Sequence, residues 1–240
     1  MSCAAFFSEG KVAQTMREHV EQGLDYIRRV FLERGYADYV HMIALRARLS
    51  ASAEQAEQAL LTAYTLHDAG KLLLEFQDAR GGFQGHEFAS AALILKSCES
   101  LGGLQEAAAL AVLLHHHTMP RKPRALLQNR SGLRFAEECI AELEELLERR
   151  AGLPVRLARA LSVREVEEVR SLLDLKAGDW PRLRLVFALL EPLMLADNYA
   201  SRSRGGEPTL LGNEAEKLKV ALEKIRLSFR EGVYRAGESR

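Results

Sequence analysis

His67 and Asp68 stand side by side in the run Leu66-His67-Asp68-Ala69-Gly70-Lys71. A neutral imidazole beside a carboxylate is a compact ligand pair for a divalent cation. The carboxylate has two oxygens, so it can bridge two cations about 3.5–4 Å apart, the arrangement used to hydrolyse phosphate esters. A dipeptide alone proves little; what matters is whether further ligands exist. The chain has 7 histidines, and His19, His67, His86, His115, His116 and His117 fall where such a site can use them. His41 has no partner in any motif and takes a structural role. Asp197 lies in an otherwise apolar run, Leu193-Met194-Leu195-Ala196-Asp197-Asn198-Tyr199.

Helices must bring these residues together. Residues 11–34 place Val12, Met16, His19, Val20, Leu24, Ile27 and Phe31 at three- and four-residue steps, which predicts an amphipathic helix with His19 on its apolar face. Two more helices are predicted over 38–49 and 53–66, the second opened by Ser52 as N-cap and closed by His67-Asp68. Residues 77–85, with Gly81, Gly82 and Gly85, predict a loop, after which His86 opens a helix running to Cys98. Gly102-Gly103 break it, and Leu104 to His116 form an Ala/Leu-rich helix, apolar on most sides and therefore central.

Pro120 and Pro123 force an irregular connection. Helices follow over 134–149, 164–175 and 181–200, with Pro192 marking a kink or boundary in the last. Ser201 to Gly212 reads as a mobile basic loop, and a final amphipathic helix spans 213–230. No strand alternation, internal repeat or low-complexity tail is evident. The expected fold is all-α, a helical bundle in one domain over 1–240, with 121–175 as a variable helical insertion.

Adjacent helical residues point about 100° apart, so an adjacent pair converges on one site only near a helix end. The His67-Asp68 pair and the three consecutive histidines both sit near predicted ends. Each residue also has a plain alternative. His19, taken alone, reads as a hydrogen-bonded core histidine before a ligand. The three histidines are equally a surface cluster, although they end a helix so apolar that its end is buried, and unpartnered buried imidazoles are costly. Asp197 is a surface residue or a buried, paired carboxylate, and burial of Asp without a cation is rare. Glu87 either orients His86 or caps its helix. The stretch Pro120-Arg121-Lys122-Pro123-Arg124 guides a strand or is a solvated loop.

Composition narrows the class. Lys plus Arg and Asp plus Glu both number 33, so net charge offers no support for nucleic-acid binding beyond a local patch. Cys3, Cys98 and Cys139 are odd in number and widely spaced, which suits a reducing cytoplasm and argues against a disulfide framework. There is no signal-peptide pattern and no apolar stretch of about 18 residues, so no membrane span is expected.

The ordered set of motifs resembles the HD superfamily of helical, metal-dependent phosphohydrolases. It consists of His67-Asp68-Ala69-Gly70-Lys71, then Phe76-Gln77, then His86-Glu87 with Ser90, then Ala111-Val112 with His115-His116, then Ala196-Asp197 with Ala200-Ser201. Together these are similar to the HD nuclease of type I CRISPR–Cas systems. No Walker-type loop is present, so the chain resembles the stand-alone form rather than the helicase fusion.

The resemblance implies a buried dinuclear centre. His19, His67, Asp68 and Asp197 would hold one metal, and Asp68, His86, His115 and His116 the other, with Asp68 bridging. Lys71 matches a lysine near the scissile phosphate and Ser201 a serine on the nucleic-acid backbone. Arg202 and Arg204 beside it are candidate phosphate contacts. His117 stands where glycine is common; the Ala-Val-x-x spacing selects His115 and His116.

The activity implied is metal-dependent cleavage of single-stranded DNA, with RNA as a further substrate. A superfamily-2 helicase and an RNA-guided surveillance complex are the implied partners. Imidazole-rich ligands favour Mn, Co, Ni or Fe, with Mg as a further candidate. Two alternatives stand. One is a small-molecule HD phosphohydrolase acting on nucleotides or cyclic nucleotides, although the Gly-Tyr-Pro signature of the cyclic-di-GMP branch is missing. The other is a non-catalytic interaction subunit with a vestigial site, against which the complete ligand set argues.

Overall fold

The computed structural model describes residues 3–81, 83–116, 132–173 and 179–202, together with Asn213 and Val220. Among these residues the helices are α1 (Met16–Val30), α2 (Tyr36–Arg46), α3 (Ala53–Leu66), α4 (Leu74–Ala79), α5 (His86–Ser97), α6 (Gln105–Leu114), α7 (Glu137–Ala151), α8 (Val163–Glu168) and α9 (Trp180–Ser201). Two small antiparallel hairpins accompany them, β1 (Ala4–Ser8) with β2 (Lys11–Thr15), and β3 (Leu133–Arg134) with β4 (Ala160–Leu161).

The helical expectation holds for this architecture, and the corrections lie at the edges. Residues 11–15 are strand, not the first turn of a helix. The reason is visible in β2: the buried residue is polar Gln14, whereas Val12 is 39% exposed, so the alternation is inverted relative to hydropathy. Gln14 Nε2 donates to the Ala200 carbonyl at 2.9 Å, anchoring the C-terminal end of α9. Helix α1 begins at Met16, where Thr15 and Glu18 form a capping box. A second hairpin, β3–β4, also lies where only helix was expected.

Helix α3 is the most enclosed element. Ser52 and Gln55 cap its start, and every residue from Ala59 to Leu66 is buried. It packs against α1, α2, α5, α6, α7 and α9. Helix α6 is buried from Ala107 to Leu113, as expected of its composition. Helix α9 runs through Pro192 without a break. The proline removes one backbone hydrogen bond, but Leu185, Leu189, Leu193 and Ala196 lie fully buried against the neighbouring helices and hold the helix together. Residues 132–173 contribute Ile140, Leu143 and Leu147 to the same core.

Cys3 and Cys139 form a disulfide across 136 residues, which overturns the expectation of no disulfide. Sequence spacing carried no trace of it, because β1 is brought to α7 only by the tertiary fold. Their Cα atoms lie 5.5 Å apart, within the usual range for such a bond. Cys98 is a buried free thiol, pushed up to about 12 by burial.

Candidate metal centre

Four helix ends and one helix face converge on Asp68. His67 is the C-terminal cap residue of α3, and Asp68 begins the 3-10 turn Ala69–Leu72. His86 is the first residue of α5, and His115 caps α6 with His116 next. His19 comes from the buried face of α1 and Asp197 from the last turns of α9. Each adjacent pair does sit at a helix terminus, where the chain changes direction and neighbouring side chains can face one point.

Two groups of ligand atoms form around the two oxygens of Asp68. In the first, Asp68 Oδ2 lies 3.7 Å from His19 Nε2 and 3.5 Å from His67 Nε2. Asp197 Oδ1 lies 3.3 Å from His19 Nε2 and 3.6 Å from His67 Nε2, and the two imidazole nitrogens are 3.3 Å apart. Ligand atoms about 2.0–2.2 Å from a shared ion stand roughly 3.0–3.6 Å from each other, and these spacings run from the middle of that range to just beyond it, 3.3 to 3.7 Å. In the second group, Asp68 Oδ1 lies 3.0 Å from His86 Nε2 and 3.7 Å from His115 Nε2, with the His116 ring tilted at 41° to that of His115 and its centroid 3.9 Å away.

The fit to a cation is tested by the second nitrogen of three of the rings; His19 Nδ1 has no hydrogen-bond partner. His67 Nδ1 meets the Tyr64 carbonyl at 2.6 Å, His86 Nδ1 the Phe83 carbonyl at 2.6 Å, and His115 Nδ1 the Val112 carbonyl at 2.5 Å. A carbonyl only accepts, so Nδ1 carries the proton in all three rings and Nε2 is left as a lone pair. Asp68 Oδ1, His86 Nε2 and His115 Nε2 are buried and have no hydrogen-bond partner. Three buried acceptors facing one another cost about 1–3 kcal/mol each if nothing positive stands between them. A cation between them would satisfy all three.

Charge states agree for His19, His115 and His116, and His67 runs the other way. Burial pushes the His19 and His115 imidazoles below their ordinary value, keeping them neutral. Burial and neighbouring His115 bring His116 down to about 3. Burial opposes the charged form of His67 as well, but Asp68 and then Asp197 outweigh it and raise that ring. Burial also disfavours ionised Asp68, yet Lys71 first and His67 next hold it well below the usual carboxylate range. His19 and His67 hold Asp197 down in the same way against its burial.

The sequence-derived candidates therefore divide as follows. His19, His67, Asp68, His86, His115, His116 and Asp197 are brought together. Lys71 places its ammonium 2.5 Å from Asp68 Oδ2, on the bridging carboxylate itself. Ser201 Oγ donates to Asp197 Oδ1 at 3.3 Å. Arg202 caps α9 and is half-buried. Arg204 and His117 lie outside the described residues, as do the basic stretch 120–124 and, apart from the helical Asn213 and Val220, the helix expected over 213–230. Glu87 makes no capping hydrogen bond; its carboxylate stands 3.6 Å from His86 Nδ1, already committed to Phe83.

Several supporting residues escaped the sequence. Gly70 touches the backbone of His86: a Cβ there would lie 2.1 Å from the His86 carbonyl oxygen. Its N–H donates to Ser90 Oγ at 2.8 Å, so the glycine of one motif and the serine of the next lock Asp68 against His86. Tyr64 donates to the His19 carbonyl, and Gly23 makes room for its ring. The spacing of Gly70 and Ser90 within the motifs was a signal; Tyr64 and Gly23 carried none.

The HD domain family profile matches residues 34–201, well over half of the chain, and leaves only His19 of the cluster outside. The chain belongs to the HD domain family, whose members are metal-dependent phosphohydrolases. Among solved structures it is similar to the CRISPR-associated Cas3 HD domain protein from Methanocaldococcus jannaschii. The TM-score is 0.53 at 21% identity, covering 75% of this chain and 95% of that one. At that identity the likeness is one of fold. No curated protein matches the sequence.

Proposed function

We propose that the protein is a two-metal nuclease that hydrolyses phosphodiester bonds in single-stranded DNA, acting in type I CRISPR interference. The observation that carries the metal chemistry is the division of Asp68, one oxygen towards His19 and His67 and the other towards His86 and His115. The nuclease assignment draws on the ordered motifs and on the fold shared with the Cas3 HD domain protein. The proposal takes residues 1–240 as one nuclease domain, with a superfamily-2 helicase and an RNA-guided surveillance complex presenting the displaced strand.

His19, His67, Asp68 and Asp197 would hold one ion, and Asp68, His86, His115 and His116 the other. Such ions supply a nucleophilic water at neutral pH and neutralise charge on the phosphate. The protein's own groups do the rest. The backbone carbonyls of Tyr64, Phe83 and Val112 hold three imidazoles in the ligating tautomer. Lys71 stabilises charge developing on the phosphate or protonates the leaving oxygen. Ser201, Arg202 and Arg204 contact the phosphate backbone of the strand.

The imidazole content favours Mn, Co, Ni or Fe over Mg. A cytoplasmic location accompanies this reading; no described helix is long and apolar enough to cross a membrane. The Cys3–Cys139 disulfide is the one feature that points the other way.

The test is incubation with circular single-stranded DNA, duplex DNA, RNA and a panel of mono- and cyclic nucleotides, with Mn or Mg. Nicking of the single-stranded circle in Mn supports the proposal. Consumption of nucleotides alone moves the protein to the small-molecule phosphohydrolases, and activity confined to Mg counts against the ligand set.

A further inference from the structure

The two oxygens of Asp68 have unequal surroundings. Oδ1 faces His86 and His115 and has no hydrogen-bond partner. Oδ2 faces His19 and His67, and it is also the oxygen on which the Lys71 ammonium sits, at 2.5 Å. Lys71 is only 7% exposed, so little water screens this contact. An ion entering the His19 side needs the oxygen that the ammonium already holds. An ion entering the His86 side meets no such competitor.

We propose that the Lys71 ammonium and a divalent cation are alternative occupants of Asp68 Oδ2, so that filling the His19-side site expels Lys71 from the carboxylate and frees it for the substrate. This rests on the metal-dependent reading above. The two sites then fill in order, the His86 side first and the contested His19 side second. Lys71 thereby reports whether the centre is complete.

The surroundings allow the side chain to move while its backbone stays. The Lys71 N–H donates to the Asp68 carbonyl at 2.9 Å, and the Lys71 carbonyl accepts from Gln77 Nε2 at 2.8 Å. Gln77 is itself held by both the N–H and the carbonyl of Ala4 in β1. The ammonium already lies over the Phe83 ring, whose centroid is 5.7 Å from Nζ, within the distance of about 6 Å at which a ring face attracts an ammonium, so it keeps this contact when Oδ2 is lost.

The test is calorimetric titration of Mn into the metal-stripped full chain. Wild type is compared with Lys71→Met, which keeps the unbranched stem, and with Lys71→Gln, each also made with His19→Ala. Wild type is expected to bind two ions in unequal steps. Both Lys71 variants should tighten the weaker step roughly tenfold or more and leave the tighter step unchanged. With His19→Ala the Lys71 effect should vanish, because the contested site is gone.

Equal tightening of both steps, or two bound ions with neither step altered, overturns the proposal. A wild type that binds no ion overturns the metal-dependent reading itself, a result distinct from either of those. Thermal melting gives a second readout. Lys71→Met should melt below wild type without metal, and saturating Mn should close the gap; a gap that persists in Mn overturns the proposal.

Discussion

At the scale of single residues, Asp68 is the point on which the account turns. It is 1% exposed, paired with one lysine and surrounded by four imidazoles. On the proposed nuclease reading, replacing it with alanine is expected to lower turnover by roughly 10²–10⁴-fold, the equivalent of several kcal/mol of lost transition-state stabilisation. Single-turnover kinetics on labelled single strands would measure this, and a variant retaining full rate would remove Asp68 from the mechanism. Gly70 offers a test that does not depend on activity. A methyl group there meets the His86 carbonyl oxygen at 2.1 Å, so Gly70→Ala is expected to cost about 1–3 kcal/mol of stability by overpacking. Denaturant unfolding followed by circular dichroism reads that loss, and an unchanged midpoint would show that the contact is not tight.

At the scale of elements, the candidate ligands other than His19 come from helix ends. His67, His86 and His115 each donate Nδ1–H to a carbonyl three residues earlier, at a helix terminus where that carbonyl is available. Ser90 couples two such termini by accepting from the buried Gly70 N–H. Ser90→Ala strands that donor and is expected to cost about 1–3 kcal/mol, with weakened Mn affinity because His86 and Asp68 lose their mutual register. A variant with unaltered melting temperature and Mn affinity would deny the coupling.

The same scale explains what the sequence could reveal. Helices α3, α5, α6 and α9 and every candidate ligand in the cluster were legible, because apolar periodicity marks the helices and the histidine motifs mark their ends. The β1–β2 hairpin was not, because it buries Gln14 rather than Val12 and so inverts the hydropathic signal. The support given by Tyr64 to His19 was not legible either, since it joins residues that meet only in the folded chain.

At the scale of the whole molecule, buried titratable groups and one covalent link tune a stability founded on the apolar core. His19, His115 and His116 have depressed values in the folded chain, with His116 near 3 against an ordinary 6.5. Below about pH 6.5 the unfolded chain takes up protons at these rings and the folded chain does not, so stability falls as pH falls. His67 is raised and acts in the opposite sense, one ring against three. The melting temperature of the metal-free protein is therefore expected to drop steadily from about pH 7 to pH 5, and a rise over that interval would contradict the assigned charge states. The Cys3–Cys139 bond closes a loop of 136 residues, which contributes about 2–5 kcal/mol by restricting the unfolded chain. Reducing agent, or Cys139→Ala, is expected to lower the melting temperature accordingly; no change would mean the two thiols are unpaired in solution.

The central claim is that Asp68 joins two metal sites. Anomalous diffraction from crystals of the intact chain loaded with Mn tests it most directly. The account predicts two peaks, one beside each oxygen of Asp68, the first shared with His19, His67 and Asp197 and the second with His86, His115 and His116. A single peak at saturating Mn, or two peaks that do not both contact Asp68, would contradict it.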